Sequence, residues 1–253
     1  MKNSLIDRTL LPGTAWILFL LIPITFLGFY PSYFAKLNAP TPTVIHLHST
    51  FMLLWLATVI AQPLLIKFNK LNHHRLIGKI SYGLMPIVIL SGYFILHYSY
   101  HRALGGDDVG PPGYYPADFP LHIKAADFVV IGTVYWLWLI VYYVLGVSFR
   151  KRTIAHATFM LAAALTILGP AGDRLIGHFC DAMGWPFNAV AGNFVFALVG
   201  LVFVCLLFFH QKKKLSLQPT LTVLLIHGIG VLLFYTMPYH PVWNRLAAFL
   251  FNG

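Results

Sequence analysis

Glutamate is missing from this chain: all seven acidic residues are aspartates, so every carboxylate role falls to Asp. Charge of either sign is scarce, at 9% of residues, where a soluble domain carries about 25%. With 58% hydrophobic residues, no soluble fold could cover the apolar surface, so the class is an integral, polytopic membrane protein. Cysteine is nearly absent too. Cys180 and Cys205 are the whole set, too few and too poorly placed for a disulfide framework. No small-residue cleavage site follows the first apolar run, which therefore reads as a membrane span and not as a signal peptide.

What is present is a series of apolar runs separated by short basic loops. A span needs about 20 mostly apolar residues. Seven candidates meet this: Ala15–Phe34, Val44–Ile66, Lys79–His97, Ala125–Val147, Thr153–Gly172, Val190–Phe209 and Thr220–Met237. An amphipathic tail, Val242–Phe251, is expected on the surface. The expected fold class is thus all-α, a seven-span bundle in one transmembrane domain.

The net charge of +10 would suggest nucleic acid in a soluble protein. Here topology explains it, because basic residues mark cytoplasmic loops. With the N-terminus inside, twelve Lys and Arg fall on the inner side: Lys2, Arg8, Lys67, Lys70, Arg75, Lys79, Arg150–Arg152 and Lys212–Lys214. Only Lys36, Arg102, Lys124, Arg174 and Arg245 fall outside. The expectation is N-terminus inside, C-terminus outside, with lipid as the surrounding partner and no nucleic acid bound. The longest loop, His101 to Lys124, is rich in Gly, Pro and Tyr. It lies outside, where such loops serve as lids or as inert caps.

An internal repeat organises the chain. HSTFML at His48–Leu53 returns as HATFML at His156–Leu161, identical at five of six positions. A proline follows in each (Pro63, Pro170), then RLIGK from Arg75 and RLIGH from Arg174. A Leu-Gly pair in the preceding spans, Leu27-Gly28 and Leu145-Gly146, echoes the match. Three crossings separate the copies, so they run in opposite directions. The expectation is an inverted 3+3 repeat, halves about 15–101 and 125–211, with the seventh span added. Inverted repeats place related groups about a two-fold axis in the membrane plane. Each face then receives two histidines and one arginine: His48, His97 and Arg174 outside, and His156, His210 and Arg75 inside.

Paired imidazoles across a bundle suit a b-type haem, and an arginine suits its propionates. One reading is therefore a haem b protein with a bis-His site at each face, passing electrons to a redox partner. The plain alternative is that these histidines sit near helix ends and bind nothing. Two-haem cytochromes often stack histidines on one helix about 13 residues apart, a spacing not found here; the similarity to b-type membrane cytochromes is one of design. A second reading is a transporter of a small-molecule substrate or metal ion, with Gln62, His227 and Asn193 near the midplane. A third is a metal-dependent enzyme with an outer zinc, copper or iron site drawn from His46, His101, His122, His178 and Asp173. Whether the chain is an enzyme, and whether it binds any cofactor, stays open at this point. Only His73-His74 resembles the doublet of histidine-box desaturases, so that class is set aside.

The order His48, Gln62-Pro63, His74-Arg75-x-x-Gly78, His156-x-x-x-Met160 and Arg174 resembles a large bacterial family of predicted multi-pass membrane proteins, over about Val44 to Gly177. The resemblance implies the architecture and a bacterial inner (plasma) membrane, and carries no activity with it. The chain departs from that pattern at His156-Ala157, where the family would have His-Arg.

Overall fold

The computed structural model describes residues 5–107, 116, 118–185 and 189–252. Among them every regular element is helical. In chain order these are α1 (Leu5–Thr9), α2 (Thr14–Ile17), α3 (Leu21–Phe29), α4 (Thr43–Lys67), α5 (Leu71–Leu104) and α6 (Leu121–Ser148). Then come α7 (Thr153–Leu165), α8 (Leu168–Met183), α9 (Ala189–Lys212), α10 (Gln218–Thr236) and α11 (Pro241–Phe251). Among the described residues six helices are long and apolar enough to cross a membrane, α7 and α8 counting as one run, Thr153–Met183. The multi-pass membrane class follows.

The first expected span, Ala15–Phe34, takes a different form. Its apolar helix is the shorter run Thr14–Phe29, broken by a 3₁₀ stretch at Leu18–Leu20. At 1.5 Å per residue it reaches about 24 Å, short of a ~30 Å hydrocarbon core. α5 differs the other way. Its 34 residues reach about 51 Å and carry the expected span, Lys79–His97, well beyond both ends. The expected outer lid falls partly outside the described residues.

Local sequence explains the breaks. Asn69 adopts φ 57° between α4 and α5, a left-handed turn that Asn tolerates. Pro170 cannot donate to the Thr166 carbonyl, so α7 and α8 part there. Thr166 Oγ1 then donates to the Ala163 carbonyl at 2.8 Å. Gly184, at φ 64°, ends α8, and the Trp185 amide closes on the Cys180 carbonyl at 2.8 Å. That is the Gly-terminated helix end.

α6 is the hub, packed on α5, α7, α10 and α11. Its aromatic residues fasten it by donating to neighbouring backbones. Trp136 Nε1 reaches the Ile89 carbonyl at 2.9 Å and Trp138 Nε1 the Ile226 carbonyl at 3.1 Å. Each indole lies where a glycine leaves room, Gly92 and Gly230 respectively. α3 and α8 approach more closely still: a Cβ on Gly28 would run into the Ala171 backbone carbonyl. Small residues at such crossings let backbones meet within lipid. α1 is pinned by Asp7, which accepts from the Gly13 amide at 3.2 Å and pairs with Lys67 at 3.5 Å. The tail α11 packs on α5 and α6. Trp243 Nε1 donates to the Ala126 carbonyl at 2.7 Å, while Val242, Leu246 and Phe249 stay exposed.

Candidate functional site

Two polar clusters lie within the bundle. The first gathers where α4 ends and α5 and α7 begin. Gln62 Nε2 donates to the His74 carbonyl at 3.3 Å, which fixes the amide's orientation. Gln62 Oε1 is then buried with no hydrogen-bond partner, as is His74 Nδ1. The His156 ring stands 6.4 Å from the His74 ring, edge to face. His156 Nδ1 lies 2.8 Å from the Gly146 carbonyl. A carbonyl can only accept, so Nδ1 carries the proton and Nε2 of the neutral ring keeps its lone pair. A metal-ligating histidine is held in this way by its other nitrogen. The cluster therefore joins two imidazoles and an amide oxygen, with two buried polar atoms unmatched. A buried polar atom left without a partner costs about 1–3 kcal/mol.

The second cluster lies in the other half of the bundle. Ser91 Oγ donates to the Val88 carbonyl at 3.0 Å. It has one proton to give, so it accepts from His48 Nδ1 at 3.3 Å. His48 thus also presents Nε2 as a lone pair. Arg174 lies within electrostatic reach of His48. The Arg174 guanidinium donates to the Pro170 carbonyl at 2.9 Å and covers the Phe29 ring at 4.7 Å. Beside it, Asp173 Oδ2 accepts from Tyr135 at 2.9 Å, while Asp173 Oδ1 is buried and unpartnered.

The residues do not fit the two expected haem pairs. His210, fully buried, spends both nitrogens within the protein. Nε2 donates to the Thr9 carbonyl at 2.8 Å and Nδ1 accepts from Thr220 at 3.0 Å. Neither remains for iron, and the ring facing His156 is that of His74. Of the pair expected outside, His48 bonds Ser91, while His97 packs on His101 at 4.5 Å. Arg75 is exposed, though its charge reaches His74.

The expected midplane trio does not gather. Gln62 belongs to the first cluster. His227 stacks on Trp138 at 4.7 Å and donates to the Phe196 carbonyl at 3.0 Å, a tie between α10 and α9. Asn193 sits early in α9. The cavity beside His227 holds about 10 Å³, about one water.

The outer metal set is also dispersed. His46 meets the Tyr33 hydroxyl at 3.1 Å, and His178 donates to the Gly28 carbonyl at 3.1 Å. His122 is exposed at the start of α6, and Asp173 holds Tyr135. Among the described residues no three of His, Cys, Asp and Glu gather closely enough to hold a metal ion; the first cluster has two of these and an amide.

His74, Ser91 and Tyr135 are the site residues that sequence reasoning passed over. For His74 the signal was there: it directly precedes the repeat arginine in HHRLIGK. Set against family models, curated proteins and solved structures, the chain matches none.

Proposed function

We propose that this chain is an integral membrane protein that binds a transition-metal ion between His74 and His156 at its basic face. Gln62 Oε1 serves as a third, oxygen donor. The observation that carries this is the fixed tautomer of His156 beside two buried, unmatched polar atoms, His74 Nδ1 and Gln62 Oε1. A cation would supply the partner that Gln62 Oε1 and the His74 ring lack within the protein. Imidazole with an amide oxygen suits zinc, copper or iron. Copper or iron would make the protein an electron carrier; zinc would place it among metal-ion transporters or metal-dependent enzymes.

Elemental analysis of detergent-purified protein tests this. About one metal ion per chain is expected, as a single site requires. His74→Ala and His156→Ala should lower occupancy at least tenfold, while His101→Ala leaves it unchanged. Metal at background in the wild type, with no Soret absorption, overturns the proposal. A Soret band lost in both His48→Ala and His156→Ala would instead support a haem b at each face.

The proposal includes the wider architecture. Thr14–Phe29 is taken as a seventh, short crossing, giving an inverted 3+3 repeat with the N-terminus inside and the C-terminus outside. The twelve-to-five division of basic residues supports it, as does the packing of α3 on α8. The motif order from His48 to Arg174 supports placement with the bacterial family and in an inner membrane. Alkaline phosphatase activity of a C-terminal fusion is expected and tests the orientation. An epitope tag at the N-terminus decides the count: shielded in intact spheroplasts for seven crossings, labelled from outside for six.

A further inference from the structure

The tail helix α11 has two unlike faces. Trp243, Ala247 and Phe251 are buried in a cluster with residues of α5 and α6. Val242, Leu246 and Phe249 are 62%, 45% and 82% exposed. Their i, i+4, i+7 spacing aligns them in one apolar stripe. Arg245 is exposed beside it. At 11 residues, about 16 Å, α11 is too short to cross a bilayer.

The two ends of α11 are tied to different helices. Trp243 Nε1 donates to the Ala126 carbonyl on α6 at 2.7 Å. The Leu250 carbonyl accepts from the Tyr93 hydroxyl on α5 at 2.8 Å. The Phe251 ring stands 5.9 Å from that of Tyr93 and 6.0 Å from that of Tyr100. These contacts fall where the apolar spans of both helices end, His97 on α5 and Ala125 on α6. Tyr and Trp gather at that level in membrane proteins, where acyl chains meet headgroups. The exposed ridge of α10 leads to the same place. Leu221, Leu225, Ile229, Leu232 and Tyr235 follow one another at helical spacing, and exposed Tyr239 joins them to Val242.

We propose that α11 is a membrane-boundary anchor, with Val242, Leu246 and Phe249 among phospholipid acyl chains and Arg245 held at the headgroups. The occupant follows from continuity with the α10 ridge and from the level of the contacts. A cation flanking the stripe suits lipid phosphate. Four side chains on a three-turn helix offer less than the about 800 Å² per partner of a stable protein interface. The anchor does not depend on the metal site.

The test uses the full chain in vesicles of phosphatidylethanolamine and phosphatidylglycerol. Cys205→Ser removes the exposed thiol, and Cys180 stays buried. A nitroxide is attached singly at Val242→Cys, Arg245→Cys, Leu246→Cys or Phe249→Cys. Its collisions with oxygen, which partitions into lipid, are compared with those of a water-soluble nickel chelate. Asn72→Cys, exposed at the start of α5, marks water, and Ile229→Cys, on the α10 ridge, marks the acyl interior. The oxygen-to-chelate ratio at 242, 246 and 249 is expected at least threefold above that at 72 and below that at 229. Position 245 should give the lowest ratio of the four. A stripe matching position 72 faces water and overturns the proposal. So does a stripe matching position 229, which would lie deep in hydrocarbon. Suppression of both collision rates below those of both markers would mean that protein covers the stripe, and a ratio at 245 equal to that at 249 would mean another rotation of α11; either result also overturns it.

Discussion

Gly28→Val is expected to prevent stable folding. The Gly28 Cα faces the Ala171 carbonyl across the α3–α8 crossing, and any Cβ would occupy the space of that oxygen. A side chain in the way could swing aside, but here the obstacle is backbone. α3 and α8 would have to separate, and the His178 bond to the Gly28 carbonyl would go with them. Overpacking of this kind costs about 1–3 kcal/mol, occasionally more. With the lost hydrogen bond the total should reach about 3 kcal/mol or above. Unfolding of purified protein in mixed micelles measures it. Gly83→Ala is the control: nothing lies within 4 Å of a Cβ there, so it should be neutral or stabilise by about 0.5–1 kcal/mol. Equal stabilities for the two variants would mean that α3 and α8 do not cross at Gly28.

The second large effect is at His210. His210→Leu removes the partner of the Thr9 carbonyl and of the Thr220 hydroxyl where His210 and Thr220 are fully buried. Orphaning buried polar groups costs about 1–3 kcal/mol each, so a loss of about 3 kcal/mol is expected. Metal content and visible absorption should not change. His210→Gln offers one donor and one acceptor and should recover part of the stability, which a loss of volume alone would not explain. A His210→Leu protein that keeps its stability and loses an absorption band would return His210 to the list of ligands.

These cases show how far the residues could be read without the fold. The repeat singled out His48 and His156, and both prove to be held by Nδ1 with Nε2 open. Their partners were not legible. His97 and His210 were chosen by position at matching helix ends. The structure instead sets His74 beside His156, Ser91 beside His48, and His210 between Thr9 and Thr220. Helix ends on one membrane face are all plausible neighbours in sequence. Which of them meet depends on how α4, α5 and α7 are rotated about their axes. Apolar residues ringing a lipid-facing helix carry little information on that rotation.

The sequence by itself determined the class. Scarce charge, long apolar runs and basic loops admit little but a helical membrane bundle, because lipid requires every backbone polar group to be satisfied within the chain. The breaks came from the structure, since the expected span Thr153–Gly172 ran through Pro170, although local sterics at Asn69, Pro170 and Gly184 account for them within a few residues. Only the tertiary structure decided what each histidine does. A buried imidazole is a ligand, a cap or a brace according to what faces its two nitrogens. Those partners come from residues as far apart as Thr9 and His210, or Gly28 and His178. The energy of such pairings lies in close contact, and contact across 150 or 201 positions is set by packing.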